Sequence, residues 1–185
     1  CGTGEFCANS SWEPENCAAG TYQPSTGKES CLPCPEGYYC LEGAETPTDC
    51  PGGSYCPAGT RFGTQYLCPV GTFGNSSNLV DSADCNTCTP GSYCFESGLA
   101  TPTGLCDEGY YCNGGATVAN PDSRSSEGYK GDTCVDRSNA TSNDMCPPGH
   151  YCPIGSSAPV PCPPGTSSSM FGLIKEDDCP GCQAG

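Results

Sequence analysis

Three CxxC pairs, Cys31–Cys34, Cys85–Cys88 and Cys179–Cys182, are the residues best equipped for chemistry in this chain. Thiolates at that spacing hold zinc or exchange with disulfides. A zinc site needs a second pair or histidines at ligand spacing, and these pairs stand more than 50 residues apart. A thioredoxin-type site needs a βαβ setting, which the pattern does not offer. The pairs read instead as neighbouring structural disulfides. His150, the only histidine, fills the slot before Tyr151 in CPPGHYC, where other copies carry Tyr38, Ser54, Ser92 or Tyr110. A catalytic role needs an organised partner, and none is recognisable. Glu176-Asp177-Asp178 lacks the D-x-[DN]-x-[DN]-G spacing of an EF-hand and leaves room only for a weak surface calcium site. No catalytic, cofactor or metal-ligating residue is therefore expected, and the chain is read as a non-enzyme. The residue-level expectation is N-glycosylation at Asn9, Asn75 and Asn139, each in an N-x-S/T sequon without an intervening proline.

The dominant signal in the chain is 20 cysteines in 185 residues. Leu, Ile, Val and Phe together number only 19. Apolar burial on that scale cannot offset conformational entropy, so cross-links must hold the fold. Such a chain belongs to an oxidising compartment, which predicts an extracellular protein, secreted or at the cell surface. The formal net charge of −15 leaves no basic patch for phosphate backbones and excludes nucleic acid as a partner. No stretch approaches the roughly 18 apolar residues that cross a bilayer. The chain opens on Cys1 within a motif and shows no signal peptide, as a mature product or a piece of a longer protein would.

Two units alternate. The short one, C-x-x-G-x-[YF]-C, recurs as CGTGEFC (1–7), CPEGYYC (34–40), CPGGSYC (50–56), CTPGSYC (88–94), CDEGYYC (106–112) and CPPGHYC (146–152). The long one, C-x-x-G-T followed by a loop and C-x-x-C, spans Cys17–Cys34, Cys68–Cys88 and Cys162–Cys182. From Cys17 the order is long, short, short, and then repeats, with corresponding cysteines 51 to 56 residues apart. That is the signature of a quasi-one-dimensional array. The glycine supplies a positive φ at which the chain reverses. Pro35, Pro51, Pro90 and Pro148 preset the turn. The aromatic before the closing cysteine should cover a disulfide as a miniature core. No window has sustained helical periodicity, although 167–174 could hold a turn or short strand.

Spacing also suggests the pairing. In the long units the first two cysteines are expected to join: Cys17–Cys31, Cys68–Cys85 and Cys162–Cys179. In paired short units an offset ladder fits: Cys34–Cys50 with Cys40–Cys56, and Cys88–Cys106 with Cys94–Cys112. Cys134 would take Cys146 or Cys152. Cys1, Cys7 and Cys182 are left for inter-module or inter-chain links.

These residues resemble the ephrin-receptor-like cysteine-rich repeat, C-P-x-G-[TY]-[YF]…C-x-x-C-P-x-G-x-[YF], most closely at 68–94, CPVGTFGNSSNLVDSADCNTCTPGSYC. The wider kin are EGF-like and tumour-necrosis-factor-receptor-like repeats. The resemblance covers most of the chain except 113–145, where Ser126-Glu127-Gly128-Tyr129 looks like a short unit lacking its first cysteine. It implies extracellular rods of small cross-linked modules, as in receptor stalks and in surface or mastigoneme-type filament proteins of protists and algae.

The expected fold is small and disulfide-rich: an elongated tandem array of irregular modules with short β-ribbons and almost no helix. The expected division is 1–16 as the end of a preceding repeat, 17–67 and 68–112 as repeats 1 and 2, 113–161 as an irregular repeat with an insert, and 162–185 as the start of another. The expected function is a structural extracellular glycoprotein whose partners are copies of itself or related repeats in a filament or coat. The alternative is a ligand-binding receptor ectodomain that uses the irregular 113–145 segment, which also carries the integrin-motif-like Lys130-Gly131-Asp132. A weaker third reading is a secreted inhibitor or hydrolase accessory module.

Overall fold

The computed structural model describes residues 1–8, 13–122 and 143–181. Asn9, Asn139, Cys134, Cys182, the 126–129 motif and Lys130-Gly131-Asp132 lie outside them. The fold is small and disulfide-rich, with no α-helix among the described residues. Its regular structure is a series of two-residue antiparallel ribbons and two 3-10 turns, Ser82–Asp84 and Glu176–Asp178. The chain divides into two bodies, Cys1–Asn86 with Ser97–Thr101, and Thr87–Glu96 with Pro102–Gly185.

One hairpin underlies both sequence units. It opens at Cys1, Cys17, Cys34, Cys50 and Cys68 in the first body, and at Cys88, Cys106, Cys146 and Cys162 in the second. We number these modules 1 to 9. In all of them the fourth residue is a glycine at φ between 74° and 91°. In modules 2 to 9 the amide of the fifth residue bonds to the carbonyl of the second, as in Tyr38 N–H to Pro35 O (3.3 Å) and Thr72 N–H to Pro69 O (3.1 Å). A turn with positive φ at its third residue is type II, which explains the glycine. Pro90 and Pro148 occupy the second turn position, where a fixed φ preorganises the turn, whereas Pro35 and Pro51 occupy the first. The threonine of the long units has its own reason. Thr21, Thr72 and Thr166 each donate their hydroxyl to the carbonyl that already closes the turn, at 2.7, 2.6 and 2.7 Å.

Past the turn, the chain pairs with the two residues before the next opening cysteine. Tyr38 and Tyr39 face Asp49 and Thr48, and His150 and Tyr151 face Pro161 and Val160. Ribbons this short are marginal by themselves. Their stability comes from the sulfur beneath them, because most fully buried side chains are cysteines.

Among the described residues nine bridges join Cys1–Cys7, Cys17–Cys31, Cys34–Cys40, Cys50–Cys56, Cys68–Cys85, Cys88–Cys94, Cys106–Cys112, Cys146–Cys152 and Cys162–Cys179. The offset ladder Cys34–Cys50, Cys40–Cys56, Cys88–Cys106 and Cys94–Cys112 is therefore corrected: each short unit closes on itself. The physical reason is the turn. It folds the seven residues back so that their end Cα atoms stand 5.8 to 6.3 Å apart, inside the window a disulfide can span. The same geometry joins Cys146 to Cys152, so neither takes Cys134. It also joins Cys1 to Cys7, which leaves neither for an inter-module or inter-chain link.

Where the seventh residue is not cysteine, the hairpin is held differently. Gln23 is buried, donates Nε2 to Ser30 O (2.7 Å) and accepts from Ser25 N–H at Oε1 (3.1 Å). Gly74 has no room for a side chain, since a Cβ there would lie 3.1 Å from Cys68 Sγ and 3.0 Å from Gly53 N. In these modules the opening cysteine reaches onward, 14 residues from Cys17 and 17 from Cys68 and Cys162.

Candidate functional site

The feature most able to perform a function is the step from one module to the next, because the same bonds recur from step to step within each body. In the first body, Gly4, Gly20, Gly37 and Gly53 each donate their amide to the seventh residue of the next module: Gln23 O (2.7 Å), Cys40 O (2.8 Å), Cys56 O (2.7 Å) and Gly74 O (2.9 Å). Their carbonyls accept from the next opening cysteine, Cys17, Cys34, Cys50 and Cys68, at 2.8 to 3.0 Å. In the second body Gly91, Gly109 and Gly149 repeat the donation, to Cys112 O, Cys152 O and Ser168 O at 2.7 to 2.8 Å.

Two further bonds come from the loop after each hairpin from module 2 onward. There a second left-handed residue appears: Gly27, Gly43, Gly59, Asn78 and Gly98 in the first body, and Gly115, Gly155 and Gly172 in the second. Its amide bonds back to the opening cysteine of the module before, as in Gly43 N–H to Cys17 O and Gly155 N–H to Cys106 O, both 2.8 Å. The carbonyl of the following residue accepts from that earlier module's seventh residue, as in Cys56 N–H to Leu79 O and Cys152 N–H to Leu173 O, both 2.8 Å. Four backbone bonds thus define one step, and all of them use groups that any residue supplies. Only the two left-handed positions constrain the sequence.

The loop turn also lies against the turn glycine two modules earlier. A Cβ on Gly53 would collide with Gly98 O, and one on Gly109 would lie 2.8 Å from Gly172 O. On its other side the loop position meets the residue that precedes an opening cysteine. Leu67 lies over Gly98, Leu105 over Gly155 and Met145 over Gly172. Asn78, the only non-glycine residue with positive φ (63°) among the described residues, sits opposite Asp49. Its Nδ2 donates to Asp49 Oδ1 and to Gly37 O, both at 2.9 Å. Asparagine tolerates this backbone region better than most residues, and here its side chain adds bonds glycine cannot make.

In the second body two aromatics cover a disulfide, and it is the next module's bridge rather than their own. Tyr93 of module 6 packs on Cys106 and Cys112, and Tyr111 of module 7 is buried with Cys146 and Cys152. In the first body Tyr55 stacks on Tyr66, with ring centroids 5.5 Å apart.

The other candidate residues fall outside this step chemistry. Asn75 lies exposed on the loop after module 5, its Oδ1 accepting from Asn86 Nδ2 (3.0 Å) and Ser76 Oγ (3.3 Å). His150 directs Nδ1 at Pro148 O, 3.1 Å away, beside its own turn. Glu176-Asp177-Asp178 forms a 3-10 turn in which Asp178 Oδ2 accepts from Ile174 and Lys175 amides, both 3.2 Å. Asp84 does the same for Val80 and Asp81, at 3.0 Å each, before Cys85. The aspartate before the second long-unit cysteine thus caps a turn. Sulfurs of Cys31, Cys34, Cys85, Cys88 and Cys179 are all in disulfides, to five different partners.

The loop glycine and the residue packed on it were missed by sequence reasoning. A signal exists: every short unit from module 3 onward has Gly or Asn three or four residues after its closing position. Among the described residues no helix is long and apolar enough to cross a membrane. No protein-family model matches the chain, and no curated protein matches it.

Proposed function

We propose that this chain is a structural extracellular glycoprotein, a repeat-array building block of an extracellular filament or cell-surface coat. The observation that carries the reading is the identical four-bond step. A surface built for a ligand concentrates distinctive side chains in one place, whereas here the same backbone bonds are made at module after module. A device of that kind propagates length. Its closed rings and buried sulfur suit an oxidising, protease-rich exterior. The exposed Asn75 sequon suits passage through a glycosylating pathway.

The test is immunogold labelling of the source cells with antibody to residues 17–112, paired with intact glycopeptide mapping. Labelling confined to an extracellular filament or coat, with sugar on Asn75, supports the proposal. Labelling confined to intracellular compartments, or a protein found only as a free monomer in the medium, overturns it. The receptor alternative has one observation in its favour. The 113–142 insert enters between modules 7 and 8 without breaking their step, since Gly109 N–H still reaches Cys152 O and Cys146 N–H still reaches Gly109 O, both 2.8 Å. An insert accommodated this way can be elaborated for binding.

A further inference from the structure

The base of that insert carries a second chemistry, independent of what the array builds. Asn113 is followed by Gly114, the only Asn-Gly pair in the chain. Asn113 is exposed, and Gly114 has φ 130°, a conformation L side chains rarely adopt. Among the described residues, neither the Asn113 side chain nor the Gly114 N–H is held by a hydrogen bond. Among the other described asparagines, Asn78, Asn86 and Asn143 have their side-chain amides engaged. Asn16 and Asn75 precede Cys17 and Ser76, whose side chains crowd the backbone nitrogen, and Asn120 precedes Pro121, whose nitrogen carries no proton to lose.

A free glycine amide, unhindered by a Cβ, is the nucleophile that an adjacent asparagine side chain exposes itself to. We propose that Asn113–Gly114 is a site of spontaneous deamidation and isoaspartate formation that unfastens the base of the insert. Hydroxide removes the Gly114 amide proton and the nitrogen attacks Asn113 Cγ; the Cγ–Nδ2 bond then breaks as Nδ2 takes a proton from water, releasing ammonia and regenerating hydroxide. Water then opens the cyclic imide. Cleavage at the side-chain carbonyl yields aspartate, and cleavage at the main-chain carbonyl yields isoaspartate, with one more methylene in the backbone.

The location gives this product a consequence. Asn143, 30 residues away, fastens the two feet of the insert. Its Oδ1 accepts from Asn113 N–H (2.7 Å) and its Nδ2 donates to Gly114 O (3.1 Å). Immediately beyond, Gly115 N–H bonds to Cys88 O (2.9 Å) and Ala116 O accepts from Cys94 N–H (2.8 Å). A methylene inserted between 113 and 114 displaces the Asn143 clasp and strains both bonds. The new carboxylate also places a negative charge where Asn143 presents an oxygen.

The test ages the purified, disulfide-intact protein at mildly alkaline pH. It reads conversion at residue 113 by peptide mapping and isoaspartyl methyl transfer, and amide exchange at Cys94 and Gly115. We expect Asn113 to convert before the other asparagines, faster at higher pH. Exchange at Cys94 and Gly115 should rise roughly fivefold or more, the loss of about one ordinary backbone bond. Asn113→Gln, whose longer side chain disfavours the cyclic imide, should show neither change. An intact Asn113, while a linear peptide of residues 113–120 converts, overturns the proposal. So does conversion with exchange unchanged, or an equal rise in the aged Asn113→Gln protein.

Discussion

Replacing Gly53 by alanine tests the step at its tightest point. Gly53 sits at φ 83°, where an L residue costs about 1–2 kcal/mol. Its new Cβ would fall on Gly98 O, with Gly98 C at 2.8 Å and Leu99 C at 3.2 Å. Those are backbone atoms and cannot rotate away. Moving them loosens Gly98 N–H to Cys68 O and Gly74 N–H to Leu99 O, both 2.8 Å. Two such bonds contribute roughly 1–3 kcal/mol net. The matched control is Gly59→Ala, which has φ 79° and nothing within 4 Å of its Cβ. It should cost only the backbone strain, about 1–2 kcal/mol, partly offset by lower unfolded-state entropy. Native-state hydrogen exchange at the Gly74 and Gly98 amides separates the two. Gly53→Ala should accelerate both by about tenfold or more beyond Gly59→Ala, since each 1.4 kcal/mol is about a factor of ten. Equal acceleration in the two variants would show that the loop is not seated on the turn glycine, and the step as described would be wrong.

Three other outcomes follow from the same geometry. Asn78→Gly keeps the backbone conformation but loses the bonds to Asp49 and Gly37, so it should cost about 1–2 kcal/mol in denaturant titration; no loss would mean the pair is ornamental. Removing the Cys50–Cys56 ring with paired serines should cost about 2.4 kcal/mol by loop entropy, and removing Cys68–Cys85 about 3.2, so the long bridge should be the larger loss. Tyr111→Ala opens the cover over Cys146–Cys152, and a loss of roughly 3–5 kcal/mol with faster reduction of that bridge is expected; unchanged reduction would separate the ring from the sulfur beneath it.

How much of this could be read beforehand depends on where the constraint sits. The turn glycine was legible because it lies at a fixed offset between two cysteines, as in CPEGYYC. The loop glycine was not, because its offset from the closing residue varies and in one module it is Asn78. The hairpins at Cys17, Cys68 and Cys162 were hidden as separate units because they end in Gln23, Gly74 and Ser168 rather than cysteine. The closed rings were missed for a geometric reason. The glycine was understood to reverse the chain, but the turn it builds also returns the seventh residue to the first. The sequons at Asn9, Asn75 and Asn139 are visible as text, yet only Asn75 has a described setting, and its contact with Asn86 is a fact of folding that no motif encodes.

The self-closed ring also bears on how such a chain is made. A cysteine that must find a partner in the following module has to wait, reduced and exposed, until that module has been synthesised. A cysteine whose partner lies six residues on, as Cys34, Cys50, Cys88, Cys106 and Cys146 do, can be oxidised as soon as one short stretch of chain has been made. Among the described residues only Cys17, Cys68 and Cys162 need a longer reach, each to the first cysteine of a CxxC. Biosynthesis can therefore proceed in order, one unit completed before the next appears. Few thiols are then open to mispairing at any moment, and adding modules lengthens the product without multiplying the ways it can be cross-linked wrongly.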